Sequence, residues 1–199
     1  MSNYYFFIGT TAELIKLFSV LKELKKRKIS FKIIASGQND LHNNELLKYL
    51  NINKLDIVLY KGVLKQNLLS LFFWFLKIFF KSIFSLKKEF AQNNKKRSYL
   101  IVHGDTISTV MGALIGKIFV YSVAHLEAGL RSYNYLHPFP EEIDRVIISY
   151  LANWHFCPNQ WAVNNLKKRR GIKINTKQNT LLDSLQIVGR FAIDLQLQR

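Results

Sequence analysis

A chain of 199 residues with 49% apolar side chains carries enough material for a sizeable core, which excludes global disorder and allows one large domain or one and a half ordinary ones. Its 29 basic and 13 acidic residues leave a net charge of +16, a balance that asks for an anionic partner: a nucleotide, an acidic membrane surface or a nucleic acid. Cys157 is the lone cysteine, so an intramolecular disulfide is excluded, as expected in a reducing cytoplasm.

In chain order, Tyr4–Ile8 is a short apolar run that closes on Gly9, Thr10 and Thr11, with no basic secretory n-region before it. Residues 12–26 place Leu14, Leu17, Phe18, Leu21 and Leu24 at helical spacing. Phe31–Ala35 returns to strand character and stops at the turn-rich Ser36–Asp40. A helix over Leu41–Leu50 and a strand over Ile57–Tyr60 follow. Farther on, Ser98–His103 and Phe119–Leu126 read as strands, with a helix between them from Thr106. Glu141–Ala152 reads as a helix, His155–Cys157 as a brief strand and Asn159–Arg169 as a helix. Such alternation predicts right-handed βαβ units: an α/β, Rossmann-like parallel sheet with helices on both faces. The basic runs Lys25–Lys28, Lys95–Arg97 and Lys167–Arg170 each fall where a helix should end, and cations there oppose the helix dipole. They lack interleaved stacking aromatics, so no nucleic-acid partner is expected.

Residues 66–90 form an amphipathic, Phe-rich helix. Gln66, Ser70, Lys77, Lys81 and Lys88 share one narrow stripe, while Leu, Phe and Trp fill the rest. The uninterrupted apolar part is short, and lysines break it, which counts against a membrane span. Three readings stand: a helix packed in the core or a dimer, with lysines reaching water; a helix lying in a membrane interface; and, as the smallest remainder, a spanning helix.

Three carboxylates, Asp105, Glu127 and Glu141, fall where a strand hands over to a loop or a loop to a helix. In open α/β sheets, ligands bind beyond the carboxyl ends of the strands, so these groups are candidates for acid–base work. Each also has a plainer role. Asp105 would N-cap the helix from Thr106, Glu127 would pair with Arg131, and Glu141 and Glu142 would favour a helix dipole. Gly9 and Thr10 offer a small-residue turn at a helix start, open to an anion or simply tight. Lys16 either reaches a phosphate or faces solvent, and Arg131 and Arg145 are cations for phosphate or carboxylate. His103, His125, His137 and His155 have no metal-site spacing, and Cys157 reads as a small packed residue. No metal site is expected.

Six blocks then resemble the non-hydrolysing UDP-N-acetylglucosamine 2-epimerases: Gly9-Thr-Thr-Ala-Glu-Leu-Ile-Lys16, Ser36-Gly-Gln38, Val102-His-Gly-Asp-Thr106, His125-Leu-Glu-Ala-Gly-Leu-Arg131, Pro140-Glu-Glu-Ile-Asp-Arg145 and His155-Phe-Cys-Pro158. The resemblance implies one half of a two-domain glycosyltransferase-B fold, with the active site in the cleft between domains. It implies inversion at C2 of UDP-GlcNAc to give UDP-ManNAc, by elimination and re-addition of UDP, without nicotinamide or metal. Asp105, Glu127 and Glu141 then become the acid–base residues, and Gly9, Thr10, Lys16, Gln38 and Arg145 the substrate-binding ones.

Two departures stand out. The family's first loop usually reads Gly-Thr-Arg-Pro-Glu, but Thr11 and Ala12 replace the Arg and Pro here. Residues 187–194 resemble the family's crossover into its second domain, so residues 1–187 read as the N-terminal domain and 188–199 as a truncated crossover. The expectation is an N-terminal half serving cell-surface polysaccharide synthesis, inactive without the second domain, cytoplasmic or peripheral on the inner face of the plasma membrane. Its expected partners are a UDP-sugar and a separate C-terminal-domain chain or a second copy. The alternative is a non-catalytic, membrane-associated subunit of a split glycosyltransferase.

Overall fold

Short runs rich in Ile, Val, Phe and Tyr, each followed by a helix or a turn, build the fold in the computed structural model. It describes residues 2–42, 44–62 and 67–197, by backbone alone at residue 68 and over 189–197. The elements are β1 (Asn3–Ile8), α1 (Thr11–Lys26), β2 (Lys32–Ala35), α2 (Glu45–Tyr49), β3 (Ile57–Val58), α3 (Leu68–Ala91), β4 (Ser98–His103), α4 (Ile107–Ile118), β5 (Ser122–Leu126), α5 (Glu141–Leu151), β6 (Trp154–Cys157), α6 (Gln160–Asn165), β7 (Ile172–Asn175) and α7 (Thr180–Leu197). The strands form one seven-stranded parallel sheet in the order β3-β2-β1-β4-β5-β6-β7. The order reverses between β1 and β4, so the loops leaving these strands diverge and open a crevice at their carboxyl ends.

A parallel sheet must be covered on both faces, and two apolar clusters do this. On one face Trp74, Ile78, Leu86 and Phe90 of α3, Val110, Met111 and Ile115 of α4, and Ile148 of α5 pack against Tyr5, Phe7, Leu100, Val102 and Val123. On the other, Leu14, Leu17, Phe18 and Leu21 of α1 and Leu47 of α2 pack against Phe6, Ile8, Ile33, Ile101 and Ala124, with Ile187 and Val188 of α7 at the margin. Alternate residues of each strand serve opposite faces, as the pleat requires.

Several boundaries differ from the sequence reading. Phe119 and Val120 are not strand: Phe119 caps α4, and Val120 has φ +59, which breaks extended geometry before β5 begins. The helices expected over Leu41–Leu50 and Asn159–Arg169 shrink to α2 and α6, because turns at their ends satisfy the backbone instead. The strand expected over Ile57–Tyr60 keeps only Ile57–Val58. β7 and the start of α7 have no counterpart in the sequence reading: β7 is a half-exposed edge strand carrying two isoleucines, and α7 begins in a polar run. Residues 188–197, read as a crossover, continue α7, while 198–199 lie outside the described residues. So does Gln66 of the amphipathic stripe.

Candidate active site

Four loops meet at the carboxyl rim: those after β1, β2, β4 and β5, joined by the start of α5. β4 ends at His103, Gly104 takes φ +73, and the chain turns through Asp105 into α4. Glycine suits that turn because the left-handed region costs a side chain strain. Asp105 does not cap α4. Thr106 does, its hydroxyl accepting from the Thr109 N–H at 3.2 Å, and this frees the Asp105 carboxylate. Asp105 Oδ2 accepts from Arg145 at 2.8 Å (Nε) and 2.6 Å (Nη2).

Arg145 sits one turn into α5 and also reaches Glu142 Oε2 at 3.4 Å. Glu142 is fully buried and accepts from Arg131 Nε at 2.5 Å, from the Ser132 N–H at 2.9 Å and from the Tyr133 N–H at 3.2 Å. Burial opposes its ionisation, but the Ser132 N–H and the Arg131 guanidinium together hold the carboxyl below its ordinary range. Arg131 therefore serves Glu142, not Glu127 as the sequence suggests. Glu141, its neighbour, opens α5 with Oε2 buried and without a hydrogen-bond partner among the described residues. Asp144 Oδ2 is likewise buried and without a partner among them. Burial first, then the charges of Asp105 and Glu141, push its carboxyl up to about 8.

Glu127 follows β5 with φ +64, a backbone region that a side chain enters only at a cost. Its Oε2 meets Lys16 Nζ at 2.6 Å and its Oε1 accepts from Asn179 Nδ2 at 2.6 Å. Lys16 thus neither faces only solvent nor waits alone for phosphate. His103 Nδ1 lies 3.7 Å from Glu127 Oε2, and burial together with the Lys16 charge pushes this imidazole down to about 3, so it stays neutral. The two carboxylate loops adjoin: the Gly104 N–H donates to the Leu126 carbonyl at 3.1 Å.

Gly9 and Thr10 hold the first loop together. Thr10 N-caps α1 by accepting from Glu13, and the Gly9 N–H donates to Glu13 Oε2 at 2.7 Å. That reciprocal pattern is a capping-box variant, carried by Thr10-x-x-Glu13 but not singled out in the sequence reading. The Gly9 N–H is therefore spent internally. Glycine is needed there because a Cβ would lie 2.2 Å from Ser108. Glu13 Oε1 also accepts from Thr106 Oγ1 at 2.5 Å, tying the β1 loop to the β4 loop, and burial pushes its carboxyl up to about 7. Gln38 is anchored by Ser108, whose hydroxyl donates to Gln38 Oε1 at 2.6 Å.

All the expected residues lie on this rim. Asp105 and Arg145 join one polar network, Glu127 and Lys16 another, and Glu141 stands beside the first. Asn179, Glu13, His103, Glu142 and Asp144 join the site as additions: the Thr10-x-x-Glu13 spacing is a signal for Glu13, while the fold alone gives the others their partners. Among the described residues no group of three or more His, Cys, Asp or Glu is arranged to hold a metal. Glu127 and Asn179 also edge an apolar cavity of about 460 Å³ walled by Phe6, Ile101, Ala124 and Trp154. Those walls offer nothing to a diphosphate, so the charged rim is the candidate site.

Three comparisons bear on this site. The family model described as UDP-N-acetylglucosamine 2-epimerase matches residues 22–195, a span that holds Gln38, Asp105, Glu127, Glu141 and Arg145 but not the first loop. A UDP-N-acetylglucosamine 2-epimerase of Campylobacter jejuni is 34% identical over 89% of this chain and 44% of its own length. One of Neisseria meningitidis serogroup A is 32% identical over 90% of this chain and 46% of its own. The crystal structure of UDP-GlcNAc 2-epimerase from Neisseria meningitidis, bound to UDP-GlcNAc, superposes with a TM-score of 0.76 at 31% identity, covering 94% of this chain and 49% of that one. The chain thus spans about half the length of the curated relatives it matches.

Proposed function

This chain belongs to the UDP-N-acetylglucosamine 2-epimerase family, and from that premise we propose that it supplies the acid–base wall of an enzyme converting UDP-GlcNAc to UDP-ManNAc. The observation that carries this reading is the pairing of Asp105 with Arg145, and of Glu127 with Lys16 and Asn179, on adjoining loops at the sheet's switch point. The C2 proton of the sugar is weakly acidic, so its removal needs a positioned carboxylate. As that proton leaves, the C1–O bond to UDP breaks and its electrons depart with UDP, while a C1–C2 double bond forms in the sugar. Re-addition of UDP at C1, with a proton delivered to the opposite face of C2, gives the epimer.

Both Arg145 contacts fall on Asp105 Oδ2, so Oδ1 is the oxygen offered to substrate. Lys16 and Asn179 orient Glu127 from opposite oxygens, which suits a second acid–base group. Glu141, with a buried oxygen lacking a donor, is the third. Lys16 and Arg145, paired on the rim with Glu127 and Asp105, supply positive charge for departing UDP, and Gly9, Thr10 and Gln38 shape the loops around it.

Catalysis requires a complementary second half, within a longer polypeptide or as a separate chain, to close the other side of the cleft. The enzyme works in the cytoplasm and feeds cell-surface polysaccharide synthesis. The test is to assay the chain with UDP-GlcNAc alone and with the second half of a relative, following UDP-ManNAc by NMR. Turnover is expected only in the mixture and should fall at least about a hundredfold in Asp105→Asn and Glu127→Gln. Full turnover by the chain alone, or by both variants in the mixture, would overturn the reading. Transfer of the sugar to an acceptor instead would favour the split-glycosyltransferase subunit.

A further inference from the structure

In a parallel sheet every helix-to-strand connection lies at the amino ends of the strands, opposite the rim that carries the site. The three basic runs of the sequence all fall there: 25–28 ahead of β2, 95–97 ahead of β4 and 167–170 ahead of β7. Lys54 joins them ahead of β3. Helix dipoles do not account for these cations. That effect fades within the last turn, yet α1 ends at Lys26, α3 at Ala91 and α6 at Asn165, so most of the runs lie past the helix ends. Nor are they neutralised locally. On the rim Lys16, Arg131 and Arg145 each meet a carboxylate, whereas in the three runs only Arg27 does so among the described residues, with Glu23 at 2.7 Å. Asp56, the one acidic residue in these connections, accepts from the Ile33 N–H at 2.8 Å. From β2 to β7 the strand order spreads this end over five strand spacings, about 24 Å. Aliphatic side chains are exposed at the same end: Ile29, Ile118, Val120 and Ile172 are 37–65% exposed, Val120 on the tight turn with φ +59.

We propose that this amino-end face of the sheet docks the chain on an anionic lipid surface, its lysines and arginines meeting lipid phosphates and its aliphatic side chains entering the headgroup boundary. Charge complementarity selects this occupant. A second copy would bring two cationic ends into repulsion. A single-stranded nucleic acid would need rings on which to stack its bases, and these connections hold no exposed ring. The exposed Tyr150 close by is already covered by the Arg169 guanidinium, 3.9 Å from its ring centre. A nucleic-acid duplex offers the aliphatic side chains nothing, while an acidic bilayer meets both requirements. The crevice lies at the opposite end of the strands, so the inference is independent of the epimerase reading.

The test is co-sedimentation of the full chain with vesicles of phosphatidylcholine alone and of phosphatidylcholine with phosphatidylglycerol. Binding is expected to the anionic vesicles only, and added salt should release it. It should drop about tenfold or more in Lys95→Glu/Lys96→Glu and in Lys167→Glu/Lys168→Glu, and by a smaller factor in Val120→Asp. Lys61→Glu/Lys177→Glu makes the same change of charge at the opposite end and should keep most of the binding. All these positions are exposed, so circular dichroism should match the parent in every variant. Four results would each overturn the proposal: failure of the parent chain to bind the anionic vesicles, binding untouched by the amino-end lysine changes, an equal loss in Lys61→Glu/Lys177→Glu, or tighter binding to a DNA duplex than to the anionic vesicles at the same salt.

Discussion

The two polar networks of the rim differ in what they hold together. The network at the start of α5 joins Arg131, Glu142 and Arg145 within fifteen residues and reaches out only to Asp105. Its centre, Glu142, is fully buried and receives donors from two arginines and two backbone N–H groups. The network at the end of β5 joins Lys16, Glu127 and Asn179 from three distant segments, with Lys16 and Glu127 111 residues apart in sequence. The first is a clamp that shapes a loop and aims Arg145. The second is a looser, partly open set poised over the crevice. Adjacent glutamates show the contrast best: Glu142 is saturated with donors, while Glu141 keeps an oxygen without one. A saturated carboxylate maintains structure; one with an open oxygen is available for chemistry.

That contrast breaks most visibly at its strongest point. Glu142→Ala strands Arg131 and two N–H groups in a buried site and should cost about 3–5 kcal/mol, measured by urea unfolding. A loss under about 1 kcal/mol would mean that the clamp contributes no more than a surface ion pair.

Asp144→Asn comes next, and its effect depends on pH. A carboxyl raised from 3.8 to about 8 on folding holds its proton more tightly in the folded state. It therefore contributes stability at low pH that is lost as pH rises from about 4 to about 8. The variant should exceed the parent by about 1–3 kcal/mol at pH 8 and converge on it below pH 4 in thermal melts. His103, depressed to about 3, adds the opposite slope below its ordinary value of 6.5. Both proteins share that slope, so the difference between their profiles reports Asp144.

The smallest effect belongs to the looser network. Asn179→Ala removes one donor from Glu127 and should cost about 1 kcal/mol. In the complemented assay it should lower turnover more than it raises KM, because it disorients Glu127 without touching the nucleotide loops. Unchanged turnover would detach Asn179 from the site.

Much of the site is legible in the sequence. β4 and the start of α5 fall at the expected residues, because an apolar run ending in Gly104-Asp105 and a proline followed by two glutamates are strong local signals. The carboxylates are visible there, but their partners are not. Asp105 looks like a cap because aspartate is a good one, yet Thr106 stands one residue closer to the helix and takes the role. Arg131 looks like the mate of Glu127 by proximity in sequence, yet the chain reverses after Gly129 and brings it to Glu142. Asn179 gives no signal, since one polar residue in a polar run carries no pattern.

By itself, the sequence determined the alternation of strands and helices, the placing of three carboxylates at element ends and the two-sided apolar character of α3. These depend on periodicity and local conformational preference, which act over a few residues. Tertiary structure alone decided which cation meets which carboxylate, which face of α3 the sheet consumes, and that Glu142 rather than Glu141 is locked away. Those outcomes depend on distances between segments up to about a hundred residues apart, and only the closed sheet sets them.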